Sequence, residues 1–175
     1  MTQQPMNSAP SADKATEYLE AVRGRMRADG CSLTKTTWGD HQVVLGSRSD
    51  RKLRWMATKA ELFVFAAVVP EVDVRVLAGF TEWAMAFARS ARGGVIGARN
   101  AASVLPALIS GSVQPEAVDW AAADARLLGA TVIGRPVTVE TAFKGSARVT
   151  LHRGRSMYGG MFTGHVLEKA ARYFP

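Results

Sequence analysis

The sequence predicts a single α+β domain over residues 11–175, with its elements in the order α-β-β-β-α-β-α-β-β-α. Three observations carry this expectation. Apolar residues recur at three- and four-residue steps in four separate windows, the period of a helix with one buried face. Between those windows lie short runs that alternate apolar with polar residues or are rich in β-branched ones, bounded by glycine, proline and aspartate. The strand-like runs gather into two antiparallel, hairpin-like groups, an N-terminal meander and a later hairpin. A chain of 175 residues is one domain by default, and a chain of this size buries roughly 70% of its unfolded surface.

Each element has a local reason. Residues 1–10 carry Gln, Pro, Asn and Ser and read as a disordered tail. Ala15, Tyr18, Leu19, Val22 and Met26 form the apolar face of the first helix, with Ser11 as its N-cap. Asp13 and Glu17 suit the positive end of its dipole, Arg23, Arg25 and Arg27 the negative end, and Gly30 can stop it. Cys31–Trp38 is a threonine-rich strand, Gly39-Asp40 a tight turn, His41–Gly46 the return strand and Ser47–Arg51 a polar turn. Leu53, Trp55 and Ala57 then alternate with polar neighbours in a third strand. Leu62–Val69 extends this strand or forms a fourth, and its unbroken apolar character places it centrally, covered on both faces.

Pro70 ends that run, and Asp73 caps a second helix that reaches about Ala91 and stops at Gly93-Gly94. Val76, Phe80, Trp83, Ala84 and Phe87 make its apolar face. Ala101–Ile109 is a strand, which Pro106 assigns to an edge or a bulge because proline donates no ladder hydrogen bond. Pro115 and Glu116 open a third helix to about Leu128, with Val118, Ala121 and Ala122 on its apolar side. Thr131–Phe143 is strand-like, Lys144-Gly145-Ser146 turns the chain, and Arg148–His152 returns. A last helix, Met161–Tyr173, presents Phe162, Val166, Leu167 and Ala170 as its apolar side.

Composition narrows the function. The N-terminus has neither the basic start nor the apolar stretch of a signal peptide. The longest apolar run, Leu62–Val69, falls far short of the roughly 20 residues of a membrane helix. The expectation is a cytoplasmic protein with no membrane partner. Cys31 cannot form an internal disulfide and reads as a small buried apolar residue in a reducing compartment. Lys and Arg number 22 against 15 Asp and Glu, a net charge of +7 that favours anionic partners. The densest basic groups are Arg48, Arg51, Lys52 and Arg54, then Arg23, Arg25 and Arg27, then Arg153 and Arg155.

The order helix, three strands, helix, strand also occurs in restriction-endonuclease-like nucleases. This likeness is at the level of the fold. It implies carboxylates around a divalent metal and a lysine near the third strand's end. The candidates are Glu20, Asp40, Asp50 and Lys59, but the position two before Lys59, where a carboxylate is needed, is Ala57. Asp40 and Asp50 also read as turn residues.

Two loops offer other chemistry. Arg92-Gly93-Gly94-Val95-Ile96-Gly97-Ala98-Arg99 exposes backbone N–H groups between arginines, as an anion site does, yet matches neither phosphate-loop nor dinucleotide fingerprint. Arg153, Arg155 and Tyr158 combine charge with a stacking surface just before a helix start, which suits single-stranded nucleic acid. His41, His152 and His165 have no metal-ligand spacing, and His165 reads as a surface or half-buried polar residue. Trp83 falls on a core-facing stripe, and Trp120, if exposed, would mark a contact surface.

The sequence thus favours a small basic accessory protein that acts through a protein–protein interface or self-association, with no cofactor and no evident catalytic set. The alternatives are a nucleic-acid-binding protein of restriction-endonuclease-like fold without cleavage activity, and a metal-dependent nuclease.

Overall fold

A computed structural model of the chain describes residues 9–52, 59–91, 101–129, 131–156 and 160–175. The elements are α1 (Ala9–Ala28), β1 (Ser32–Trp38), β2 (His41–Arg51), β3 (Lys59–Val68), α2 (Val74–Ala91), β4 (Ala101–Ser110), α3 (Pro115–Ala123), β5 (Arg126–Leu128), β6 (Val132–Gly134), β7 (Val137–Phe143), β8 (Ser146–Thr150) and α4 (Thr163–Tyr173). This is the expected single α+β domain, with four helices and eight strands among the described residues. No helix among them is long and apolar enough to cross a membrane.

All eight strands join one mixed sheet. β1, β2 and β3 form an antiparallel meander, β4 lies parallel to β3, and β5 and β8 return antiparallel on β6 and β7. Because side chains alternate along a strand, the sheet feeds two cores. Val44, Leu62, Val64 and Leu105 face α1 and α4, where Val22, Met26, Val166 and Tyr173 cover them. Val43, Leu45, Phe65 and Val104 face α2 and α3, where Leu77, Phe80, Ala117 and Ala121 cover them. β3 therefore sits centrally with both faces covered, as its unbroken apolar run implied, and it contains Leu62–Val68, while Leu53, Trp55 and Ala57 of the expected third strand lie outside the described residues.

Local chemistry sets the helix ends. α1 closes in a Schellman motif: Cys31 N–H donates to Met26 O and Gly30 N–H to Arg27 O, with Gly30 at φ 82°. Asp73 caps α2, its Oδ1 accepting from Val76 N–H at 2.7 Å. Pro115 opens α3 behind Gln114.

Six expectations shift. α1 begins at Ala9, so Ser11 lies inside it and does not cap it, while residues 1–8 of the expected tail fall outside the described residues. Ser47–Arg51 is strand and not turn, paired with Lys59–Phe63 of β3. The buried stripe of α2 is Leu77, Phe80, Thr81, Ala84, Met85 and Ala88, rotated from the expected one so that Val76, Trp83 and Phe87 are only partly covered. α3 stops at Ala123, because Asp124 turns extended at φ −159° and residues 126–128 pair with β6. Thr131–Phe143 is two strands, broken at Arg135-Pro136.

That break explains the sixth shift. Pro106 lies in the middle of a central strand, neither at an edge nor in a bulge. Its neighbour on one side changes from β6 (opposite Ala102–Val104) to β7 (opposite Ala107–Ser110), and Pro106 falls in the gap. Val104 O accepts from Arg135 N–H on that side, so Pro106, two residues on, aims its missing donor at the place where no strand waits.

Candidate functional site

α1 ends on an acid, which the negative end of a helix dipole disfavours. That residue, Asp29, holds only 8% of its side chain exposed. Its stability therefore depends on cations brought from elsewhere. Arg48 from β2 and Arg172 from α4 each pair with it directly, and Lys169 Nζ reaches Oδ2 at 2.6 Å. Tyr173 OH donates to the same oxygen at 2.6 Å. Arg48 also grips Asp50 with both branches of its fork, at 2.7 and 2.6 Å, the strong bidentate form. His165 Nε2 completes the chain, 2.9 Å from Asp50 Oδ2. Cys31 Sγ lies 3.4 Å from Tyr173 OH. His165, Lys169, Arg172 and Tyr173 fall on one face of α4, so that face is pinned to the end of α1 and to β2.

The electrostatics follow. Burial acts to raise the Asp29 carboxyl, but hydrogen bonds from Lys169 and Tyr173 and the charges of Arg48 and Lys169 outweigh it and hold the group far below the usual carboxylate range. Burial also opposes ionisation of Asp50, and the bonds from Arg48 and His165 overcome it and lower its pKa. Burial lowers His165, with Lys52 and Lys169 acting in the same direction against Asp50, so the neutral ring donates its Nε2 proton to the carboxylate. Burial raises the Cys31 thiol, which keeps it a thiol and no nucleophile. Tyr18, beside the same helix interface, is pushed up to about 12, mainly by burial.

The first turn of α4 opens on a hollow of about 490 Å³, lined by Arg153, Arg155, Gly160, Thr163, Gly164 and His165 among others. The loop that carries the two arginines is fixed at its root. Nδ1 of His152 donates to Ala122 O at 3.0 Å, and Arg135 Nη1 donates to His152 O at 2.9 Å. Gly154 packs so closely on the His152 ring that an added Cβ would lie 2.6 Å from it. Arg153 and Arg155 are exposed at the rim.

The structure sorts the sequence candidates. Arg48 is no free surface cation, since both its carboxylate partners are in place. Arg51 is exposed at the end of β2, and Lys52 follows it. The Asp50–His165 bond brings this end of β2 to the start of α4, and Lys52 lies close enough for its charge to act on His165, while Arg51, opposite Lys59, points to the other face of the sheet. Arg54, Ala57, Arg92, Arg99 and Tyr158 lie outside the described residues. Trp120 is half-buried, with the Arg126 guanidinium 3.9 Å above its ring, and so presents little bare surface.

The nuclease candidates are dispersed. Glu20 is exposed on α1 beside Arg23. Asp40 occupies the β1–β2 turn, at the opposite end of β2 from Asp50. Asp50 pairs with Ala60, whose side chain belongs to the α1/α4 face, so Lys59 points to the other face, where it meets Glu61 at 3.2 Å. Among the described residues no three His, Cys, Asp or Glu side chains form a group that could hold a metal ion. In comparisons with known proteins, no family model and no curated protein matches the chain.

Sequence reasoning passed over Asp29, Lys169, Arg172, Tyr173 and Arg135. One signal was present: an acid immediately before a helix-stopping glycine, which the dipole disfavours unless a cation compensates. The second was the spacing of His165, Lys169 and Arg172, four and three residues apart.

Two outcomes test this assignment. Asp29→Ala leaves the buried Lys169 without its carboxylate and Arg48 with Asp50 alone, and lowers unfolding free energy by about 3–5 kcal/mol in urea titration. Acid sensitivity begins with His165: the unfolded chain takes a proton near pH 6.5 that the folded chain refuses, so stability is full above that pH and falls below it. Asp29 and Asp50 add further loss as pH drops below 3.8. In His165→Gln the loss that sets in below about pH 6.5 disappears while the steeper acid limb remains, read from urea midpoints across pH.

Proposed function

We propose that the chain binds nucleic acid through its phosphate backbone, at the basic surface around the first turn of α4, and that it binds without cleaving. The observation that carries this reading is that Arg153 and Arg155 line one hollow with His165, on which the charge of Lys52, about a hundred residues earlier in sequence, also acts. Clustered cations are the footprint of polyanion recognition, and the net charge of +7 agrees with it. Binding is favoured over cleavage because Asp50 is committed to Arg48 and His165, and Lys59 lies on the other face of the sheet. The order of elements shared with restriction-endonuclease-like proteins is an analogy of fold and adds no evidence of activity.

A second reading, docking on a protein or on a second copy, has one observation behind it. Trp83, Phe87 and Ala91 border a shallow, mainly apolar groove of about 480 Å³ on the solvent side of α2. This reading expects a concentration-dependent elution volume in sizing experiments that Trp83→Ser abolishes.

The nucleic-acid reading is tested by fluorescence anisotropy with a labelled single-stranded oligonucleotide over a range of salt. Three contributing cations, Lys52, Arg153 and Arg155, give a slope of log affinity against log salt of about −2, and Arg153→Ala with Arg155→Ala reduces its magnitude by about 1.4. A slope near zero, or one the double variant leaves unchanged, rejects it.

A further inference from the structure

Behind Thr163 of the hollow lies a cation with no carboxylate in direct contact among the described residues. Arg135, at the break between β6 and β7, is 3% exposed. Its guanidinium donates to two neutral oxygens, His152 O at 2.9 Å and Thr163 Oγ1 at 3.4 Å. Among the described residues it makes no ion pair, and the charge that acts on it favourably is that of Asp124, an exposed residue past the end of α3. Burial accordingly weakens its hold on its proton. An arginine stays charged at any ordinary pH, so this is a desolvated positive charge held by neutral oxygens, with Asp124 acting on it without direct contact among the described residues.

Such a charge is costly unless something compensates it, and here the compensation has an open route. Thr163 is 7% exposed and lines the hollow. Its hydroxyl oxygen accepts from Arg135, which directs the hydroxyl proton to be donated outward. Arg153 and Arg155 stand at the rim. A 3₁₀ turn, Gly160–Phe162, runs directly into α4, no side chain caps the helix there, and the helix dipole is positive at that end. The Thr163 hydroxyl, the helix start and the rim arginines line one concavity of about 490 Å³, a volume in the range of small-molecule sites, and the buried charge of Arg135 stands behind Thr163.

We propose that this hollow binds a terminal phosphate monoester, the phosphorylated end of a nucleic-acid strand, with Thr163 as the direct donor and Arg135 as the buried positioning residue behind it. A monoester carries about −1.5 to −2 charge at pH 7 and three strong acceptor oxygens, which matches several donors converging in a recess. An internal phosphodiester carries a single negative charge and must enter with a sugar on each side, which suits an open surface better than a concavity. The identity of the strand rests on the nucleic-acid reading above. The phosphate recess rests on Arg135 and Thr163, which that reading does not use.

The test measures binding of three probes to the full chain at constant ionic strength: inorganic phosphate, a 5′-phosphorylated single-stranded oligonucleotide and the same oligonucleotide without its phosphate. The phosphorylated strand binds at least tenfold tighter than the unphosphorylated one. Thr163→Val, which preserves shape and removes the hydroxyl, abolishes that preference and weakens inorganic phosphate by a similar factor, and Thr163→Ser restores both. Circular dichroism confirms that each variant is folded. Equal affinity for the two strands overturns the proposal, and a salt slope that persists in that case leaves the surface reading standing. Thr163-dependent binding of inorganic phosphate with no binding of either strand supports the recess and rejects the surface reading. Phosphate binding that Thr163→Val leaves unchanged overturns the recess.

Discussion

A single buried carboxylate organises this molecule. Asp29 ends α1 where the helix dipole repels it, and it is almost wholly removed from water. Neither condition is tolerable alone. Together they require cations, and Arg48, Lys169 and Arg172 supply them from two other elements. The ion pairs stand beside an apolar seam in which Val22 and Met26 of α1 meet Val166, Ala170 and Tyr173 of α4. Burial supplies the non-directional attraction, and the charges select one register, because a shifted α4 would leave a desolvated acid without its partner.

The position of α4 then decides what its first turn can do. One side of the helix is committed to Asp29 and Asp50, which leaves its N-terminal end facing solvent beside the β8–α4 loop. That loop is held at His152 from two directions, by α3 through Ala122 and by the β6–β7 break through Arg135. The interruption that keeps Thr131–Phe143 from being one strand is also what brings a guanidinium under the hollow. The same gap accommodates Pro106 in β4. A departure from regular sheet geometry thus serves the concavity above it.

What was legible in the sequence was what short-range physics determines. α1, α2 and α4 showed in their apolar stripes, because each lies on a sheet with one face. The turns at Gly39 and at Lys144-Gly145 showed because they adopt positive φ, which few residues accept. Legibility failed where distant groups alter the meaning of a residue. Ser47–Arg51 looks like a turn because its polar side chains look solvated; in the fold Arg48 and Asp50 satisfy each other, Asp29 and His165, so the strand runs on. Pro106 looks like an edge signal because pattern reading assumes a regular neighbour on each side. Arg48 looked like surface charge for the same reason, since a pattern cannot reveal which cations have found their anions.

The spacing of the Asp29 network has a consequence for how the chain matures. Its α4 ligands stand 140, 143 and 144 residues downstream. Closing so wide a loop is entropically unfavourable and gains nothing until both partners exist. During synthesis the acid at residue 29 therefore emerges hydrated and stays so while the strands assemble. Arrival of α4 is what dries it, filling the slot over β2 and β3 in the same motion. Until that helix has docked, a nascent chain leaves the apolar face of β2 and β3 uncovered, the kind of surface that chaperones and proteases act upon.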